Sequence, residues 1–329
     1  MIEQRSPATI LELATAHQRS RVLFALVELA IPDRLAEPAT AHEVASSLDA
    51  APLATRALLD AAVELGLVVR DGERYRNGPD AAHYLVRGAP AYLGEFVKRH
   101  ARAARGEAWA TVAERLRAWR PGGAADQLAA AAGCDPDASG QHALALLAGA
   151  ALADVAELAA NRRLLDLGGG TGAMSIALCR RFPALEAIVL EVPQAAPQAA
   201  AHVRTAALAG RIEVRAGDFM HDPLPAGCDA VLVANVLSLF DEPTGRALLA
   251  RAHAALPPGG AILLSGWMRD EAGGGALAAL LGVEDLAFGA PEVERSMATY
   301  ATWLTEAGFE HRRSVRYLDQ FCAVTGVRA

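Results

Sequence analysis

Apolar positions in the first third of the chain recur at steps of three and four residues. In TILELATAHQRSRVLFALVELAIPDRL they fall at Leu11, Leu23, Leu26, Val27 and Leu29–Ala30, a helical period. TAHEVASSLDA predicts a further helix, with Thr40 as its N-cap and Glu43 three residues on completing a capping box. PLATRALLDAAVELGLV predicts an amphipathic helix that Gly66 stops. LVVRDGERYRN then reads as strand, Asp71-Gly72 turn and strand, a short hairpin. Three helices followed by a small hairpin form a winged-helix pattern. Residues from about 90 to 160 are helical and alanine-rich, broken by loop signals at PGG (121–123) and GCDPDASG (133–140).

From Arg162 onward the period changes. RLLDL, EAIVLEV, RIEVRAGDF, CDAVLVANV and GAILLSGW are short β-branched and leucine-rich runs with helical segments between them. That alternation predicts a parallel sheet covered on both faces. HRRSVRYLDQFCAVTGV supplies a closing antiparallel pair. The pattern divides the chain into a winged-helix-like domain (1–100), a helical connector or lid (101–160) and an α/β ligand-binding domain (161–329).

Composition narrows the functions this plan can serve. The chain has 329 residues, 53% of them hydrophobic, with a net charge of −7. The supposed recognition helix, LATRALLDAAVELG, holds one Arg against two acids. Phosphate contacts need several Lys or Arg, so a DNA-binding regulator is disfavoured and a dimerisation or packing role is expected. Lys98 is the sole lysine, which disfavours Schiff-base chemistry. The four cysteines show no CxxC pair, and the nine histidines show no HxH or HExxH cluster. Reduced thiols, a cytoplasmic setting and no protein-bound metal are expected. MIEQRSPATILEL has early charge and no apolar core, so no signal peptide is predicted, and no uncharged stretch is long enough for a membrane span.

LLDLGGGTGAMS carries the candidate ligand site, with Asp166, Gly168, Gly170 and Gly172. The glycines let the backbone turn sharply after a strand and approach a ligand closely. The run also satisfies GxGxxA through Ala173, so the motif by itself leaves a dinucleotide open. Three further features decide. An anion at Asp166 suits a ligand with a free ammonium rather than a pyrophosphate. Glu191 ends the second strand, where a carboxylate can take both ribose hydroxyls. Asp218 and Phe219, in AGDF, suit the exocyclic amine and flat face of an adenine. S-adenosylmethionine has an amino-acid end, a ribose and an adenine, and no phosphate.

With SRVLFALVELAIPDRL, TAHEVASSL, GDF, NVL, ALPPGG and LTEAGF added, the chain resembles the class I S-adenosylmethionine-dependent methyltransferases. More narrowly, it is similar to bacterial and plant small-molecule O-methyltransferases with an N-terminal winged-helix dimerisation domain. The resemblance implies an α/β Rossmann-like domain with a mostly parallel seven-stranded sheet, behind an all-helical winged-helix dimerisation domain. It implies a homodimer, a pocket between domains, a small aromatic or polyketide-like substrate, and S-adenosylhomocysteine as product. It places Asn235 and Phe240 on the cofactor side. Plant members carry a catalytic His, then Asp and Trp, after the motif that reads NVL here; those positions fall on Ser238, Leu239 and Phe240. Of the two glutamates that orient that His, one is kept as Glu294 and the other falls on Ser265.

Methyl transfer from a sulfonium needs approach geometry and exclusion of water; a base is needed only where the nucleophile must lose a proton. Ser238 cannot serve as a base unaided, and its other reading is a loop hydroxyl. Glu294 could act directly. Glu284 and Asp285, in GVEDLAFG, lie on a segment that lines the substrate pocket in the resembled family, or on a solvated helix face. Trp109 and Trp267 are substrate walls or plain core. His221 lies near the cofactor or on a surface loop. Hydroxyl oxygen leads as acceptor, with nitrogen or carbon next. A second class of reading is a repurposed family member that uses the cofactor for hydroxylation or cyclisation.

Overall fold

In the computed structural model of the chain, residues 7–120, 139–270, 276–287, 295–318 and 321–329 are described. They fall into two compact units. One holds residues up to Gly106 with Ser139–Ala143, and the other holds Glu107 onward with Leu144–Ala329. Three free cysteines, Cys179, Cys228 and Cys322, are buried. No helix of the described residues is long and apolar enough to cross a membrane.

The first unit is mostly helical: α1 (Ala8–Glu28), α2 (Ile31–Arg34), α3 (Ala41–Leu48), α4 (Pro52–Glu64), α5 (Pro79–Tyr84) and α6 (Gly94–Ala103). The capping box forms as the sequence predicts. Thr40 Oγ1 accepts from the Glu43 amide, and the Glu43 carboxylate accepts from the Thr40 amide. The predicted hairpin is also present, as β2 (Val68–Asp71) and β3 (Arg74–Asn77), with Gly72 at φ +58 between them. A two-residue strand, β1 (Ala39–Thr40), pairs with β3 and makes a three-stranded wing, so this unit is not all-helical. Leu26, Ile31, Leu35, Val44, Leu59 and Tyr75 form its core.

The second unit continues with α7 (Glu107–Ala110), α8 (Val112–Ala118) and α9 (Ser139–Val155, whose first residues belong to the first unit). It then alternates: β4 (Arg163–Leu167), α10 (Ala173–Arg181), β5 (Glu186–Glu191), α11 (Ala196–Thr205), β6 (Ile212–Ala216), β7 (Ala230–Ala234), α12 (Glu242–Ala255), β8 (Ala261–Trp267), α13 (Ala276–Ala287) and α14 (Met297–Glu306), then β9 (Phe309–Tyr317) and β10 (Phe321–Arg328). The seven strands lie in the order β6-β5-β4-β7-β8-β10-β9. β6 to β8 are parallel neighbours, and β10 runs antiparallel to both β8 and β9. The β4 and β7 runs are apolar because both faces are covered. Edge strand β9 carries Glu310, His311, Arg312, Arg313 and Arg316, charges that block pairing with a further strand. Chain order reverses at β4, so the carboxyl ends of β4 and β7 frame the ligand crevice of such a sheet.

Candidate functional site

The loop after β4 turns through three glycines in the left-handed region, Gly168 (φ +66), Gly170 (φ +56) and Gly172 (φ +75). Gly168 packs closely: a Cβ there would lie 2.8 Å from Val236 Cγ2 and 3.2 Å from Phe219 Cε1. Gly170 is the opposite case, since a Cβ there would meet nothing within 4 Å. Its backbone borders open space, as a ligand cradle requires.

Glu191, at the end of β5, fixes this loop. One carboxylate oxygen accepts from the Gly170 amide (2.7 Å) and the other from the Val192 amide (2.8 Å). Each oxygen keeps acceptor capacity for a hydroxyl. The sequence assigned Glu191 to a ribose; its second task, bracing the glycine turn, carries no sequence signal because it depends on strand register.

Asp166, the acid that the sequence linked to a ligand's ammonium, is 0% exposed. Its Oδ2 accepts from Ser175 Oγ (2.6 Å), while Oδ1 has no hydrogen-bond partner among the described residues. Burial pushes its carboxyl up to about 7; the Ser175 bond opposes this and the Glu191 charge adds to it. The carboxylate sits under the loop, since a Cβ on Gly169 would lie 2.7 Å from Oδ2.

After β6, Asp218 accepts from the Met220 amide (2.8 Å) and lies 2.7 Å from His221 Nδ1. Burial raises its carboxyl, but the His221 and Met220 bonds outweigh that and hold it below the ordinary range. Phe219 is buried in the core, edge-on to Phe240 at 6.2 Å, and it presents its ring edge to Gly168. The glycine loop, Glu191, Asp218 and Phe219 thus gather at the ends of β4, β5 and β6.

Asn235 follows β7 at φ +54, a conformation uncommon outside glycine and best tolerated by Asn and Asp. Its amide donates to the Ser265 carbonyl (2.8 Å). A 3₁₀ turn, Leu237–Leu239, follows. Ser238 within it is half-buried, and no hydrogen bond joins its side chain to a described residue. Asp241 caps α12 through the Thr244 amide (3.0 Å), and Glu242 pairs with Arg246 (2.7 Å), so neither acid serves the loop. A small hollow at the ends of β7 and β8 is lined by Asn235, Ser238, Ser265, Trp267 and Tyr300 among others.

Trp267 packs on Phe321 at 4.1 Å, with its ring tilted, and borders that hollow. Ser265, where the resemblance placed a lost glutamate, is buried and 2.6 Å from the Tyr317 hydroxyl. Burial pushes that phenol above its usual range, which disqualifies it as a base. Trp109 is 37% exposed on α7, and Glu284 is half-buried on α13, a helix that packs on α7 and α8. Glu294 lies outside the described residues, as does the Asp285 side chain.

Two families of known proteins match this chain. Residues 138–310 match an O-methyltransferase domain, and residues 11–87 match an O-methyltransferase dimerisation domain. A 3-hydroxy-5-methyl-1-naphthoate 3-O-methyltransferase of Streptomyces sahachiroi is 36% identical over 98% of this chain and 96% of its own. An N,N-dimethyltransferase of Streptomyces rimosus is 33% identical over 94% and 92%. Human N-acetylserotonin methyltransferase, solved in complex with S-adenosylmethionine, superimposes over all of both chains with a TM-score of 0.85 at 25% identity.

Proposed function

Since the chain belongs to the O-methyltransferase family, with S-adenosylmethionine as its cofactor, we propose that it methylates a hydroxyl of a small aromatic or polyketide-like metabolite without a histidine base. The residues at the strand ends fit the cofactor. Gly170 borders open space, Glu191 keeps lone pairs for ribose hydroxyls, and Asp218 is held ionised for an amine donor. Bound there, S-adenosylmethionine supplies an electrophilic sulfonium methyl and leaves as S-adenosylhomocysteine.

The observation that carries the reading is the turn after β7. Between Asn235 and Phe240 there is no carboxylate, imidazole or amine, and Asp241 is spent on a helix cap. What the turn offers is shape: buried Leu237 and Phe240, half-buried Ser238, and a hollow bounded by Trp267 and Tyr300. Holding an acceptor in line and excluding water is the work such a surface can do. A naphthol-type hydroxyl is the acceptor this chemistry suits, because it can give its proton to water before the step and attack the methyl as the naphtholate, with the thioether as the leaving group. Aromatic nitrogen is the second reading, favoured because a neutral amine needs no base and because one relative is an N,N-dimethyltransferase.

The test is release of S-adenosylhomocysteine with hydroxynaphthoates, hydroxyanthraquinones and their amino counterparts as acceptors. Turnover of the hydroxy series supports the first reading, and turnover of the amines alone moves the assignment to nitrogen. Tight cofactor binding with no S-adenosylhomocysteine from either series sinks methylation and favours a non-methylating use of the cofactor. Ser238→Ala is expected to keep turnover within about tenfold of wild type; a thousandfold loss would make its hydroxyl catalytic.

The active form we propose is a homodimer assembled through the dimerisation domain. Ile10, Leu11 and Leu13 stand 70%, 62% and 68% exposed on α1, an apolar surface that a second copy can cover. Sedimentation equilibrium is expected to give twice the chain mass, and a monomer at micromolar concentration would refute this.

A further inference from the structure

We infer that Arg295 is the positioning residue of the Leu237–Leu239 turn, holding it by a clamp of two carbonyl bonds. Arg295 is 7% exposed. Its Nη1 donates to the Leu237 carbonyl (3.3 Å) and its Nη2 to the Phe240 carbonyl (3.1 Å). These two acceptors flank Ser238 and Leu239. A planar fork with fixed donor spacing can hold two carbonyls at once, which a point charge cannot do with the same geometry. The guanidinium carbon also lies 4.7 Å from the centre of the Trp303 ring. A buried cation needs such partners to offset its lost hydration.

The clamp is itself anchored. The Arg269 amide, just past β8, donates to the Arg295 carbonyl (3.1 Å), and the Met297 amide donates back to the Arg269 carbonyl (3.1 Å). Ser296 caps α14 by accepting from the Thr299 amide (3.1 Å). Trp303 is held edge-on to Tyr300 at 5.5 Å, and Tyr300 lines the hollow beside Ser238. The fork therefore ties the turn after β7 to the segment after β8 and to α14. Within the turn the backbone closes on itself only locally, with Leu239 N donating to Val236 O (3.0 Å) and Phe240 N to Leu237 O (3.3 Å), and buried Val236, Leu237 and Phe240 pack into the core beneath it. A turn without a titratable group works by its shape, and Arg295 is what sets that shape.

Amide hydrogen exchange across residues 236–241 tests this directly in the full chain, and it stands apart from the methyltransferase reading. Arg295→Gln is expected to raise exchange there by about tenfold or more while β4 and β5 keep their protection. Arg246→Gln removes the other guanidinium near Trp303 (5.0 Å), which bonds no carbonyl of the turn, and is expected to leave that exchange unchanged. Should Arg295→Gln not fold, Arg295→Lys decides, with a rise of about threefold expected. Unchanged exchange at 236–241 in a folded Arg295 variant overturns the inference, as does an equal rise in Arg246→Gln. The activity arm rests on the proposed methyl transfer. With 3-hydroxy-1-naphthoate as acceptor, Arg295→Gln is expected to lower kcat by about thirtyfold and leave the KM for S-adenosylmethionine within about threefold. Loss of protection without any fall in kcat would keep the clamp and count against the reaction assigned to the turn.

Discussion

Gly170→Val is expected to give a folded chain with no measurable affinity for S-adenosylhomocysteine. Gly170 sits at φ +56, and a Cβ placed there meets nothing within 4 Å. The substitution therefore creates no clash in the free protein. What remains is the left-handed backbone, which costs a residue with a side chain about 1–2 kcal/mol, more for a branched one. Against a domain stability of about 5–15 kcal/mol this lowers the melting temperature by a few degrees without unfolding the chain. The open space beside Gly170 is where the proposed ligand must approach the backbone, so a branched side chain blocks it. The expected loss on calorimetric titration is at least about a hundredfold, close to 3 kcal/mol. Gly168→Ala is a poorer probe, because its Cβ would press on Val236 and Phe219 and mix strain with occlusion. Unchanged affinity in folded Gly170→Val would remove the cofactor from this loop.

The elements that a short pattern specifies were legible in the sequence. The box of Thr40 and Glu43 needs only four residues, and the Asp71-Gly72 hairpin only its turn chemistry. The apolar runs of β4, β7 and β8 are what a doubly covered sheet requires. β1 was not legible, because two residues beside a helix cap carry no strand period and owe their pairing to β3. Within the site, the glycines and the acids at the strand ends were readable one by one. How they share work was not. Glu191 bonding the Gly170 amide depends on the register of β5 against β4. The Ser265–Tyr317 pair joins residues 52 apart in sequence. Arginine is so rarely buried that nothing in VERS announced a clamp at Arg295. That Asp166 lies fully buried beneath the loop was not legible for a related reason. Position at a strand end says a side chain is near the crevice, and the pleat decides whether it points up or down.

Asp166→Asn is expected to remove a fall in stability that the wild-type chain shows as pH rises from about 4 to about 7. The carboxyl is fully buried, with one oxygen bonded to Ser175 and the other unpaired among the described residues. Burial raises it from the ordinary 3.8 to about 7 in the folded chain. Below pH 4 it is neutral in both states and costs nothing. Between those values the unfolded chain releases the proton and the folded chain retains it, so stability drops with rising pH. Above about 7 both states are ionised and the loss is complete. It amounts to a few kcal/mol, since each tenfold difference in proton affinity between the two states is worth about 1.4 kcal/mol. Asparagine has the same shape, can accept from Ser175 and does not titrate. Urea unfolding at pH 5 and pH 8 is expected to show the wild type losing more stability between them than the variant, by a few kcal/mol; equal losses would place the titration elsewhere. The same charge bears on the ligand. A sulfonium ligand with a net positive charge at the glycine loop favours the ionised carboxylate, so affinity for S-adenosylmethionine is expected to rise from pH 6 to pH 8 in the wild type and to stay flat in Asp166→Asn. On that outcome we propose that the buried acid serves the site by becoming an anion when the cofactor binds, at the expense of a fold that is more stable with the acid neutral.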